Sequence, residues 1–295
     1  MGAQQSKSNE PQPQILSKPW REIDWNSDKH SALKYVQDYK PHIEGQQVRI
    51  LLHGPPGAGK SSFINSVNSV LQQRMCALAL VDNTSDDSFT HKFTTYKIQK
   101  GNPDSFYPFV FNDIMGLDAS SEVLVDDVKL ALKGHVKNGY VFNPRAKLSE
   151  GDQFYNKNPS SNDKVHVLVC VVPADTATVA QDETMKRLRE IRLEARDLGI
   201  PQVAIITKID KVCPELRDDL KNVYKTKALK QKMEQFSVDM GIPMNCIFPV
   251  KNYHEEIDLN DDTDLMILST LKYLINFGED FINFKHQSEQ SDTYA

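Results

Sequence analysis

The chain has no long hydrophobic run. Its longest apolar stretch, 165–172 (VHVLVCVV), falls far short of the ~20 residues that a membrane-crossing helix needs. Cysteine is sparse. Cys76, Cys170, Cys213 and Cys246 are widely spaced and form no C-x-x-C pair, which argues against a disulfide framework and for a reducing compartment. Positive charge is not in excess: 35 Lys and Arg stand against 40 Asp and Glu, a net charge of −5, so no direct nucleic-acid binding is expected. No secretory signal is apparent. What remains is ordinary for a soluble globular chain: 295 residues, 39% hydrophobic and 25% charged, enough to bury a core without staples.

The informative stretch follows the first apolar run, 48–53. There HGPPGAGKSS fits the phosphate-binding pattern G-x-x-x-x-G-K-[ST], with Gly54, Gly59, Lys60 and Ser61 at the required places. Glycines at 54, 57 and 59 let the backbone adopt conformations that a side chain would block. N–H groups then turn inward to cradle phosphate oxygens, at a helix N-terminus whose dipole favours anions. Ala58 and Ser62 complete the loop. Lys60 is expected on the β- and γ-phosphates and the Ser61 hydroxyl on Mg²⁺.

Two further boxes fit the same chemistry. The buried run 106–112 ends in Asp113-Ile114-Met115-Gly116, a D-x-x-G in which Asp113 would hold Mg²⁺ through water and the Gly116 N–H would meet the γ-phosphate. The run 202–207 ends in Thr207-Lys208-Ile209-Asp210. A carboxylate there can accept both N1–H and the exocyclic amino group of guanine, a donor pair that adenine lacks, while the Lys208 stem lies along the base. Thr207 stands where Asn is usual, keeping a hydroxyl but losing the amide. The last strand, 245–250, is followed by Lys251-Asn252, a position that offers a backbone N–H to guanine O6, so Val250 and Lys251 are expected at the guanine edge. In the polar segment 82–91, Thr90 is the candidate for a nucleotide-responsive loop that offers a hydroxyl to Mg²⁺.

Strand patterns at 48–53, 93–98, 106–112, 165–172, 202–207 and 245–250 alternate with helical ones. The expected fold is therefore α/β: a three-layer P-loop NTPase, GTPase-like, with a doubly wound, mostly parallel sheet and its boxes at the strand C-termini. Residues 1–18 read as a disordered tail whose start, Met1-Gly2-Ala3-Gln4-Gln5-Ser6, fits N-myristoylation at Gly2. One acyl chain gives only weak, reversible membrane contact. Residues 19–45 read as an N-terminal helical segment and 46–285 as the G domain. Within it 138–164 is a surface insertion, 214–240 one long helix and 261–285 the closing helix; 286–295 is a polar tail.

The runs GPPGAGKSSFINSV, NDIMGL, VHVLVCVVPAD, LGIPQVAIITKID and NCIFPVKNYHEE, spread over residues 20 to about 283, resemble the interferon-induced protein 44 and 44-like family. The resemblance implies a cytoplasmic GTP-binding protein of the interferon-induced innate, antiviral response. GTP and GDP with Mg²⁺ are the expected ligands and nucleotide-dependent self-association is a further expectation, while partial membrane association follows from the Gly2 pattern and not from the resemblance. Many GTPases place Gln directly after D-x-x-G to orient the attacking water; here that residue is Leu117, so hydrolysis is expected to be slow. The alternative is a scaffold that binds nucleotide without cycling.

Overall fold

The computed structural model describes residues 15–25, 28–79, 92–114, 116–117, 122–177 and 183–293. In chain order its elements are α1 (Asp28–Asp38), β1 (Val48–His53), α2 (Lys60–Gln72), β2 (Thr94–Lys100), β3 (Asn102–Asp113), α3 (Glu122–Leu132), β4 (Val167–Pro173) and α4 (Glu183–Asp197). They continue with β5 (Gln202–Thr207), the single turns α5 (Ile209–Val212) and α6 (Glu215–Asp218), α7 (Lys227–Met240), β6 (Ile247–Pro249) and α8 (Asp261–Thr293). The strands make one sheet in the order β2-β3-β1-β4-β5-β6. Every pairing is parallel except that of β2 with β3. This is the α/β, three-layer P-loop NTPase fold.

The central strands are buried on both faces, which is why β4 reads VLVCVVP with no polar alternation. Ile50, Leu52, Val167, Val169, Val171, Val203 and Ile205 face one layer, with Phe63 and Val67 of α2 and Leu271 and Ile275 of α8. Leu51, Leu168, Cys170, Val172, Ala204 and Ile206 face the other, with Val128 of α3, Leu188 of α4 and Met233 of α7. Each Val, Leu, Ile, Phe or Met among them contributes about 1.5–3 kcal/mol by leaving water. The helix α1 lies outside α8: Ala32 and Val36 join its apolar side, and the Tyr39 hydroxyl just beyond donates to Glu279 at 2.5 Å.

The structure departs from the sequence reading in the connections. The stretch 214–240 is not one helix. It breaks into α6, a 3-10 turn at Leu220–Asn222 and then α7, which starts after Thr226. Two local and two distant bonds account for the break. The Asp219 carboxylate accepts from the Lys221 N–H at 3.0 Å and from the Asn222 amide at 3.0 Å, in competition with helical bonding. The backbone of 224–226 is engaged by the N-terminal segment: Leu16 N–H donates to Lys225 O at 2.8 Å and Trp20 N–H to Tyr224 O at 3.0 Å. A continuous helix would have hidden both carbonyls. The same pairing places the chain from Ile15 onward, earlier than residue 19. Trp20 packs edge-on against Tyr224, with ring centroids 4.9 Å apart.

Elsewhere β3 begins at Asn102 rather than 106, and α8 continues through the polar residues to Thr293. The insertion 138–164 has little regular structure but is held down on α3. The Tyr140 hydroxyl and the Leu148 N–H both donate to buried Asp127, at 2.7 and 2.8 Å.

Candidate functional site

The turn from β1 to α2 forms a cradle. Gly54 has φ +151°, and a Cβ there would lie 2.0 Å from Val171 O on the neighbouring strand. Gly59, with φ +92°, is the residue before α2, and no side chain hydrogen-bonds at that cap. The first-turn N–H groups of α2 therefore face the loop. Lys60 is buried, and its Nζ donates to Gly54 O at 3.2 Å and Pro55 O at 3.1 Å. Burial pushes its pKa below 10.5, while the Asp113 carboxylate opposes that shift. Gly57 lies open on the loop and Ala58 is fully buried beneath it. The Ser62 carbonyl accepts from Ser66 Oγ at 2.8 Å.

Ser61 and Asp113 meet at this cradle although they come from different elements. Ser61 Oγ donates to Asp113 Oδ2 at 2.5 Å. Asp113 is fully buried at the end of β3, and its Oδ1 has no partner among the described residues. Burial raises its carboxyl above 3.8; the Lys60 ammonium, the Ser61 hydroxyl and the Ile114 N–H work against that rise. A buried carboxylate oxygen without a partner, beside a hydroxyl and at the mouth of an N–H cradle, suits a hydrated divalent cation bound together with phosphate. The residues present thus fit Mg²⁺ with a nucleotide.

The D-x-x-G turn runs against the phosphate loop. A Cβ on Gly116 would come within 2.5 Å of Pro56 N, and the Leu117 N–H donates to Gly54 O at 3.0 Å. The Leu117 side chain is fully buried in the core that faces α3, with Ile114 and Leu124. Thr90, like Gly2, lies outside the described residues.

On the other flank, Thr207 Oγ1 donates to Ala58 O at 2.6 Å and lies 3.4 Å from Val172 O. Lys208 has φ +53°, and burial lowers its pKa, helped by Lys211. Asp210 is half-buried in the first turn of α5, with its carbonyl accepting from Arg217 Nε at 2.9 Å. The Val250 N–H donates to Ile206 O at 2.8 Å, and Lys251 pairs with Glu256 at 2.8 Å. The structure therefore joins the phosphate loop, Asp113, Gly116 and Thr207 by direct contact, with Lys208, Asp210, Val250 and Lys251 on the adjacent strand ends.

Two side-chain roles escaped the sequence reading. Asn252 donates from Nδ2 to Gly59 O at 3.1 Å; its only signal was an amide side chain just after the last strand. His53, 1% exposed before Gly54, has a pKa lowered to about 3 by burial and by the Lys60 charge. Nothing in an apolar strand pattern marks it.

No protein-family model matches the chain. It is 32% identical to "Interferon-induced protein 44" of Homo sapiens over 254 residues, which cover 85% of this chain and 57% of the relative. It is 28% identical to "Interferon-induced protein 44-like" of Homo sapiens over 257 residues, 86% of this chain and 57% of the relative. The chain thus spans 57% of the length of these curated relatives. Toc33 from Arabidopsis thaliana, a solved structure, superposes with a TM-score of 0.44 at 14% identity, covering 85% of this chain and 92% of its own. Among the described residues no helix is long and apolar enough to cross a membrane.

Proposed function

The chain is similar over most of its length to interferon-induced protein 44 and its 44-like counterpart, and from that premise we propose that it is a GTP-binding protein of the interferon-induced innate, antiviral response, with Mg²⁺-dependent binding and slow hydrolysis. The observation that carries the nucleotide reading is the meeting of Ser61 with Asp113 beside buried Lys60, with Asp113 Oδ1 left for a ligand. Mg²⁺ bound with the nucleotide supplies charge to offset the phosphates. Ser61 and Asp113, with Thr90 from outside the described residues, would hold that ion, and phosphate oxygens and water would complete its shell. Lys60 and the first-turn N–H groups of α2 hold phosphate oxygens. Asp210 selects guanine, with Lys208 along the base and the backbone at Lys251 at its edge, since the Val250 N–H is held by Ile206 O. Thr90, which lies outside the described residues, offers its hydroxyl to the Mg²⁺. Acylation at Gly2 gives weak, reversible membrane contact to a cytoplasmic protein, and nucleotide promotes self-association.

A second reading keeps the nucleotide but not the cycle: a scaffold in the same response. The burial of Leu117 favours it, because no side chain at that position can orient water. A fluorescent GTP analogue titrated with Mg²⁺, against unlabelled GTP and ATP, tests the shared claim. GTP should compete, ATP should not, and Asp210→Ala should lose the preference. If neither nucleotide competes, the site assignment fails. Multiple-turnover phosphate release then separates a slow GTPase from a static scaffold.

A further inference from the structure

Thr207 holds one carbonyl of the phosphate loop, and a second carbonyl is held from another element. A hydroxyl has a single proton to donate. In Thr207 it goes to Ala58 O at 2.6 Å, since Val172 O is distant at 3.4 Å. The next carbonyl, Gly59 O, accepts the helical Phe63 N–H at 2.9 Å and also Asn252 Nδ2 at 3.1 Å. Both side chains converge on one point: a Cβ on Gly59 would sit 3.0 Å from Asn252 Nδ2 and 3.7 Å from Thr207 Oγ1. Asn252 is itself well placed for this. The neighbouring Tyr253 N–H donates to Ser66 Oγ of α2 at 3.0 Å, and the Tyr253 hydroxyl to Asp264 at 2.6 Å.

We propose that Asn252 is a positioning residue that replaces the amide missing at 207, so that Thr207 and Asn252 together aim the phosphate loop. The inference rests on the nucleotide reading above and adds a mechanism to it. In a trans peptide the C=O and the following N–H point in opposite directions. Pinning Ala58 O toward Thr207 turns the Gly59 N–H the other way. Pinning Gly59 O toward Asn252 does the same for the Lys60 N–H. Those are the donors that a phosphate would meet. The loop after β6, which also carries the base-edge residues Val250 and Lys251, is thereby coupled to the phosphate side.

The test uses the full chain with Asn252→Ala and Asn252→Asp, the second keeping the shape but lacking the donor. Dissociation of a fluorescent GDP analogue should be about tenfold faster in both, the size expected for one lost hydrogen bond of this kind. The preference for guanine over adenine should stay intact, because Asp210 is untouched. Hydrogen exchange of the nucleotide-free protein should rise at amides 58–62. Dissociation within twofold of wild type, or wild-type behaviour in Asn252→Asp, overturns the proposal. If the wild-type protein binds no guanine nucleotide, the functional reading falls separately. The exchange measurement then decides alone: a rise confined to 58–62 supports the tether, and no rise or a rise across the domain overturns it.

Discussion

Gly54 is where a single methyl would matter most. Its φ of +151° and the 2.0 Å approach to Val171 O leave no room for Cβ. Gly54→Ala should destabilise the fold by at least about 2 kcal/mol, as overpacking and backbone strain add. An unchanged melting temperature would show that the turn between β1 and α2 has another conformation. The buried histidines make a second residue-level prediction. His53 falls to about 3, chiefly through burial and then the Lys60 charge. His166 falls to about 4, again chiefly through burial, with Arg49 and Lys164 adding to it. His166 Nδ1 must stay unprotonated to accept the Arg49 N–H at 2.9 Å. A histidine whose folded pKa is depressed binds its proton more weakly folded than unfolded. Its contribution to stability is complete above about 6.5 and is lost as pH falls toward the folded value. With both titrating, stability should fall between pH 6.5 and 5 with a slope approaching about 2.7 kcal/mol per pH unit. Urea midpoints measured from pH 7.5 to 5 check this, and a flat profile contradicts it.

Among the elements, α8 is the one whose placement depends on an absent side chain. A Cβ on Gly278 would lie 2.3 Å from Val48 Cγ1 of β1. Helix propensity alone favours Gly278→Ala by about 1 kcal/mol. The clash should outweigh it, lifting α8 from the sheet at a cost of about 1–3 kcal/mol. Adding Val48→Ala opens the space, so the double variant should be more stable than the two single effects sum to; simple additivity in thermal melts would rule the clash out. The region 214–240 teaches the complementary lesson. Its apolar spacing reads as one helix, yet Asp219 and the segment around Leu16 and Trp20 divide it. The strands were legible because their apolar runs are local in the sequence. This break was not, because half of its cause lies about two hundred residues away in the chain.

For the whole molecule, a ligand that binds only the folded state stabilises it by mass action. GTP with Mg²⁺ at 100 times its dissociation constant should add about 2.7 kcal/mol, roughly 5–10 °C in melting temperature for a chain of this size. ATP at the same concentration should leave the melt unchanged, and Asp210→Ala should erase the difference between the two. Equal shifts with both nucleotides would remove Asp210 from the base site while leaving the phosphate loop in place.

By itself the sequence determined the layered α/β core and the phosphate loop. Strands buried on both faces need continuous apolar runs such as 167–173, and a backbone at φ +151° and +92° needs glycine at 54 and 59. Both are demands that a residue meets with its immediate neighbours. Only the tertiary structure decided the rest. It turned Leu117 into the core, buried Asp113 Oδ1 without a partner among the described residues, and brought Asn252 to Gly59 O. Those outcomes depend on which strand ends lie side by side, and no local spacing encodes the contact between residues 59 and 252.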